Sequence, residues 1–304
     1  MSYAIETENL CKRYGKSFVV KDVCMHVEEG TVYGFVGENG SGKTTIMRLL
    51  MGLANPTKGD YKLFGVDSKN ANIYKVKNNI SAIVEAPSLV PTMTARENLK
   101  FASMYYGVED LSIIDEILEE VGLHDTGNKK VKNFSLGMRQ RLGIAVLLLN
   151  NPKLMLLDEP LNGLDPAGIV EVRDLIINLS KKGITFLISS HILSELEKVA
   201  THYGFISKGR LLKEISANDL VKECSRSIDI KYYDLNKVEE ALKASKIKNF
   251  EKLPTKIKVF ENITPLELLQ KLSKYGVEVT DIRTQEGNVE DYYLNLIKEA
   301  AINE

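Results

Sequence analysis

The chain has 304 residues, 44% hydrophobic and 27% charged, with a formal net charge of −1. That leaves room for one large and one smaller globular domain, and no basic excess for a nucleic-acid footprint. Cys11, Cys24 and Cys224 show neither metal spacing nor a disulfide framework, which suits a reducing compartment; the start Met1-Ser2-Tyr3-Ala4-Ile5-Glu6 is no signal peptide, and apolar runs such as Ile144 to Leu149 are too short to span a bilayer.

In chain order, Ala4 to Leu10 reads as a short strand. Lys12-Arg13-Tyr14-Gly15-Lys16 reads as a basic turn carrying one aromatic. Phe18 to Val27 alternates and predicts a second strand. The apolar β-type run Thr31 to Val36 leads into Gly37-Glu38-Asn39-Gly40-Ser41-Gly42-Lys43-Thr44-Thr45, and a helix is expected from about Lys43 to Met51. This stretch matches G-x-x-x-x-G-K-[ST] in the strand–loop–helix context that a phosphate-binding loop needs. Its glycines let backbone N–H groups point inward around an anion, and the helix adds its positive end. Lys43 offers a point charge to β- and γ-phosphates, and Thr44 a hydroxyl to Mg²⁺. Nucleoside triphosphate binding follows.

Asp60 to Phe64 and Ile80 to Val84 read as strands, the second stopping at Glu85-Ala86-Pro87. Thr94-Ala95-Arg96-Glu97 has the capping-box pattern, so a helix is expected from Ala95 to about Tyr106. Asp110 to Val121 has helical spacing. Phe134-Ser135-Leu136-Gly137-Met138-Arg139-Gln140 opens a long helix through Leu149 with a serine-capped start, a second natural anion site. Leu154 to Leu157 is a buried-strand run that delivers Asp158 and Glu159 at its C-terminal end. Beside a P-loop, Asp158 suits Mg²⁺ or its waters, and Glu159 suits polarising an attacking water. Ala167 to Leu179 reads as a helix and Ile184 to Ile188 as a strand. His191 follows it, placed to donate to a γ-phosphate. Ser194 to Thr201 continues as a helix, and a hairpin closes around Lys208-Gly209.

Strand–helix alternation to about residue 207 says α/β with a parallel core sheet and an antiparallel β part at the start. After Asn218 the character changes. Ser227 to Tyr232, Lys256 to Phe260 and Val277 to Arg283 read as strands, and Lys237 to Ser245, Pro265 to Tyr275 and Val289 to Ile302 as helices. Residues 218–304 are therefore expected to form a small α+β accessory domain of split βαβ type, without a catalytic constellation of its own.

The order of these motifs resembles the ATP-binding subunit of ATP-binding-cassette transporters, over residues 1 to about 217. The resemblance implies an α/β P-loop NTPase with a helical subdomain at about 86–150, and ATP with Mg²⁺ at the site. It places the phosphate loop on Gly37 to Thr45, the adenine-stacking aromatic on Tyr14, and the family's signature on Phe134 to Gln140. It places the acidic strand on Leu154 to Glu159, the dimer-facing loop on Asn162 to Asp165, and the switch histidine on His191. It also implies a homodimer, with Ser135 and the N–H of Gly137 reaching the γ-phosphate bound by the other copy. An integral-membrane permease is the implied partner, with the chain cytoplasmic and peripheral on the inner face of the membrane.

Two departures stand out. Leu136 and Met138 stand where the family carries small residues or Gly. Glu85 stands where most members carry a Gln that reaches Mg²⁺, and no Gln occurs between Ile80 and Leu99. A carboxylate there adds charge near the metal and cannot donate as an amide does. The stretches Val84-Glu85-Ala86-Pro87, Ser135 to Ala145 and Asp291-Tyr292-Tyr293-Leu294 resemble the bacitracin and lantibiotic exporters of immunity and resistance, so an exporter of antimicrobial peptides is expected. The competing expectation is a cassette ATPase acting on ribosomes or DNA. The balanced charge gives that no support. A sensor that binds ATP without turnover would not need Glu159. The accessory domain is expected to be a stabilising appendage, with regulation as the alternative.

Overall fold

Strands β1 (Tyr3–Tyr14) and β2 (Ser17–Val23) form an antiparallel hairpin, and β3 (His26–Glu28) returns along the first half of β1. The computed structural model describes residues 2–224, 227–232, 235–253, 255–261, 263–285 and 289–302. The predicted Phe18–Val27 strand is thus two strands. The side chain of Thr7 interrupts it: its hydroxyl donates to Val23 O at 2.9 Å and accepts from Met25 N–H at 2.8 Å. The basic stretch at 12–14 belongs to strand β1, and the turn is confined to Gly15-Lys16.

Strand β4 (Val32–Val36) is buried at every position and runs into the P-loop, which ends at helix α1 (Lys43–Met51). Strands β5 (Lys58–Leu63) and β6 (Val66–Asp67) complete an antiparallel sheet in the order β2-β1-β5-β6, with β3 also on β1. A short helix, α2 (Ile73–Lys77), unsignalled by any apolar face, precedes β7 (Ile80–Ile83). The chain then stays helical: α3 (Ala95–Tyr106), α4 (Ile113–Glu120) and α5 (Leu136–Leu148). Thr94 and Glu97 close a reciprocal capping box at the start of α3, as the sequence pattern predicts.

Strand β8 (Leu154–Asp158), helix α6 (Pro166–Lys181), strand β9 (Thr185–Ser190) and the single turn α7 (Leu193–Leu196) follow. The helix expected to reach Thr201 stops at Leu196. Thr201 is instead bonded to strand β4, its N–H donating to Val32 O at 2.8 Å, which starts β10 (His202–Ser207) alongside β4. Strand β11 (Arg210–Ser216) closes the hairpin. The second sheet reads β11-β10-β4-β9-β8-β7, parallel except for the β11 edge. Its strands are near-continuous apolar runs because both faces are covered. The core joins Phe35, Leu156 and Leu187 of this sheet to Ile46, Met47 and Leu50 of α1 and to Ile5, Leu10 and Val20 of the antiparallel sheet. Each such side chain contributes about 1.5–3 kcal/mol on burial.

The chain divides into two compact units, Met1–Ala217 and Asn218–Glu304. In the second, strands β12 (Ser227–Tyr232), β13 (Phe250–Leu253), β14 (Lys256–Val259) and β15 (Val279–Gln285) alternate with helices α9 (Leu235–Ala244) and α10 (Pro265–Ser273). Helices α8 (Ala217–Glu223) and α11 (Val289–Ile302) flank them. The sheet order β13-β14-β12-β15 is antiparallel throughout, which is the split βαβ arrangement. Strand β13 escapes the sequence reading because Phe250-Glu251-Lys252-Leu253 sits on the edge with little burial.

Candidate active site

The loop between β4 and α1 is held by its neighbours. Gly37 cannot be any other residue without rearrangement, since a Cβ there would lie 2.5 Å from Ile206 O and 2.6 Å from Ser41 Oγ. Gly42, the N-cap of α1, has φ 110° and makes no side-chain cap bond, so the first N–H groups of the helix stay open to an anion. The β10–β11 turn supports the loop, with Gly209 N–H donating to Ser41 O at 3.0 Å. Strand β2 supports it from the other side: a Cβ at Gly42 would lie 2.8 Å from Val19 O.

Lys43 is only 5% exposed. Its Nζ donates to Gly37 O at 2.6 Å and Glu38 O at 3.2 Å, and lies 3.3 Å from Glu159 Oε1. Thr44 Oγ1 donates to Asp158 Oδ2 at 2.7 Å, which joins α1 to the end of β8. Asp158 Oδ1 accepts from Ser189 Oγ at 2.5 Å, and that same hydroxyl accepts from Glu159 N–H at 2.9 Å. Asp158 and Ser189 are register partners of the parallel β8–β9 pair. Glu159 then leaves the strand in the left-handed region, φ 49°, an uncommon and strained choice for a residue with a Cβ. That turn brings its carboxylate to His191, whose Nδ1 lies 2.7 Å from Glu159 Oε2.

The fold thus brings Lys43, Thr44, Asp158, Glu159 and His191 together. Glu38, Asn39, Gly40, Ser41 and Thr45 belong to the same loop and first helical turn. Ser41 Oγ is buried there without a hydrogen-bond partner, and Glu159 Oε1 is buried with the Lys43 ammonium 3.3 Å away and no hydrogen bond. A buried hydroxyl left open like that of Ser41 marks where a polar group belongs. Hydroxyl and carboxylate oxygens are hard donors of the kind that suit Mg²⁺, so the residues present fit a Mg–triphosphate.

The remaining expected residues lie elsewhere. Glu85 does not turn toward Thr44 and Asp158. Its backbone takes φ 75° at the exit of β7, and its carboxylate pairs with Arg48, one turn along α1 from Thr44. Tyr14 ends strand β1, half exposed, with Lys12 Nζ 5.0 Å from its ring centroid. Ser135 caps α5, accepting from Met138 N–H at 3.1 Å. Gly137 lets α5 approach α6 closely, since a Cβ there would lie 3.3 Å from Gly168 Cα. Arg139 folds back onto Phe134 O at 3.0 Å. The sequence reading passed over Ser189 and Arg48. The Ser189-Ser190-His191 run was the available signal for the first. Nothing local marks the second, because its partner Glu85 is 37 positions away.

A sequence profile of the family described as ABC transporter matches residues 20–162. The chain is 42% identical over 301 residues to the bacitracin transport ATP-binding protein BcrA of Bacillus licheniformis, covering 98% of each. The chain belongs to the ABC transporter family. It is also 43% identical over 210 residues to the lantibiotic transport ATP-binding protein SrtF of Streptococcus pyogenes, covering 69% of this chain and 90% of that one. Its fold matches a crystal structure of a nucleotide-free ATP-binding cassette from an ABC transporter, with a TM-score of 0.65 and 26% identity over 73% of this chain and 94% of that one. It is an ATP-binding subunit of the kind that hydrolyses ATP to power transport. Among the described residues no helix is long and apolar enough to cross a membrane.

Proposed function

We propose that this ABC subunit hydrolyses Mg–ATP between two facing copies and so powers the export of antimicrobial peptides through a separate membrane permease. The convergence of Lys43, Thr44, Asp158, Glu159 and His191 carries the reading. On ATP binding, Lys43 exchanges the carbonyls of Gly37 and Glu38 and the carboxylate of Glu159 for phosphate oxygens. When bound, Mg²⁺ would be held by Thr44 and Asp158 and would neutralise charge on the β- and γ-phosphates. Released from Lys43, Glu159 takes a proton from the attacking water while its oxygen joins the γ-phosphorus and ADP leaves with the bridging oxygen. His191 keeps Glu159 oriented through Nδ1 and offers its other ring nitrogen to the γ-phosphate.

Ser135 and Gly137 complete the site of the opposite copy. Tyr14 stacks on adenine once Lys12 swings off its ring. The serine hydroxyl keeps its own proton for a phosphate oxygen even while it accepts from Met138. Helix α3 supports the permease assignment. Phe101, Met104 and Tyr105 are exposed there, the last at 87%, beside a cleft of about 320 Å³ lined by Met51, Leu53, Val84, Pro87 and Tyr106. Glu85 sits between two lining residues, Val84 and Ala86, so a permease segment in this cleft would press on the Glu85–Arg48 pair and hence on α1. The permease would hold the chain at the inner face of the membrane. The peptide class follows the names of the relatives, and residues 218–304 are read as a stabilising appendage.

Expression of the chain with a candidate permease in a susceptible bacterium tests this. Resistance to bacitracin or a lantibiotic is expected to rise and to vanish with Lys43→Ala. Resistance equal in the presence and absence of Lys43 would overturn the reading.

A further inference from the structure

Helix α5 carries Gly137 and Arg141 one turn apart, and α6 carries Gly168 and Glu171 one turn apart. Positions three or four apart share one face of a helix. These two faces meet at both levels. At the first, a Cβ on Gly137 would lie 3.3 Å from Gly168 Cα, so the backbones approach closely. At the second, Arg141 Nη2 lies 3.2 Å from Glu171 Oε2. The other terminal nitrogen of Arg141, Nη1, donates to Val121 O at 2.7 Å and to Gly122 O at 2.9 Å, at the C-terminal end of α4. Gly122 makes room for it: a Cβ there would lie 2.8 Å from Nη1.

The Arg141 side chain is 12% exposed, and its Nε is buried without a hydrogen-bond partner. The guanidinium is therefore held through its two terminal nitrogens, one on α4 and one on α6. A guanidinium presents its donors in a fixed planar fork, whereas an ammonium is a point charge on a flexible stem. Helix α6 is itself anchored at its start, where Asp165 caps it by accepting from Gly168 N–H at 3.1 Å. Gly168 is the residue against which Gly137 rests. The start of α5 is thus packed on a fixed helix end, and Arg141 locks that packing one turn further along.

We propose that Arg141 is a positioning residue for the start of α5. Its fork ties α5 to α6 and to the end of α4, and so fixes the direction in which Ser135 and Gly137 present their hydroxyl and N–H to the nucleotide held by the other copy. Arg141 touches no nucleotide, and its bonds to Val121, Gly122 and Glu171 lie on α4 and α6. The inference rests on the proposed role of Ser135 and Gly137 across the two copies.

The test uses the full chain with Mg–ATP. Arg141→Lys keeps the charge and loses the fork. Turnover is expected to fall by on the order of 10- to 100-fold. Kd for a fluorescent ATP analogue should stay within about twofold, because α1 is untouched. Glu171→Gln leaves the bonds to α4 in place and should give a smaller loss of the same kind. It carries the test if thermal melting shows that Arg141→Lys is unfolded. Mixed with Lys43→Ala, the Arg141 variant should turn over ATP faster than either alone, since one intact α5 then meets one intact α1. Mixed with Ser135→Arg it should gain nothing. Full turnover by the folded variant that carries the test, analogue affinity lost in step with turnover, or recovery with Ser135→Arg would overturn the proposal. So would failure to recover with Lys43→Ala when Ser135→Arg does recover with it. Failure of the Ser135→Arg and Lys43→Ala mixture would instead overturn the underlying reading of α5.

Discussion

The two helices whose starts read as anion sites in the sequence, α1 and α5, are built differently. Helix α1 starts from Gly42 in the left-handed region with no side-chain cap, and Lys43, Asp158 and Glu159 surround its open N–H groups. Helix α5 starts from Ser135 in extended backbone, caps itself through Met138, and turns Arg139 back onto Phe134 O. The first end has a cation, a hydroxyl–carboxylate pair and a second carboxylate. The second has one hydroxyl and a few N–H groups, with close packing at Gly137 against Gly168. An end like the second is too poor to hold a triphosphate alone and well suited to touching one that is already bound. The difference argues that α1 binds and α5 completes.

The sharpest way to break that division is Lys43→Ala, which should lower ATP turnover by on the order of 1,000-fold, measured as phosphate release. Retained turnover would mean that α1 is not the binding end. Glu159→Gln should cost about 100- to 10,000-fold in turnover while ATP binding persists, and a dimer loaded with ATP should accumulate on gel filtration. A monomer at saturating ATP would count against two facing copies. Ser135→Arg should abolish turnover by itself, yet mixing it with Lys43→Ala should restore part of the activity. In the mixed dimer the intact α5 end of one copy meets the intact α1 end of the other. Failure of the mixture to recover any activity would show that both ends act within one copy.

Smaller effects probe the links between the ends. Glu85→Gln removes the charge that pairs with Arg48 and should leave hydrolysis measurable while changing its coupling to the permease. Unchanged resistance in cells would remove that role. Ser189→Ala deletes the hydroxyl shared by Asp158 and Glu159 and should cost about 1–3 kcal/mol of stability, read by denaturant unfolding.

Legibility in the sequence followed the range of the interaction. The helix Lys43–Met51 and the capping-box helix Ala95–Tyr106 were readable because their signals are local: a glycine loop and a Thr94–Glu97 box. The split between β2 and β3 was not readable. It depends on Thr7, sixteen or more positions away, inserting its hydroxyl between Val23 and Met25. The early end of α7 was hidden for the same reason, since Thr201 is recruited by Val32 on a different strand.

The sequence by itself determined the chemistry on offer: a phosphate loop, an acidic strand end, a histidine after a neighbouring strand, and a serine-capped helix, in the order of the ABC family. Glycine spacing and strand-end acids write that information in adjacent residues. Only the tertiary structure decided which groups meet. Parallel pairing of β8 with β9 set Asp158 beside Ser189, and the left-handed turn at Glu159 delivered its carboxylate to His191 and Lys43. Only it sent Glu85 to Arg48 rather than to Thr44. A carboxylate goes to the nearest cation that the fold provides, and that distance is a property of packed strands and helices, not of chain order.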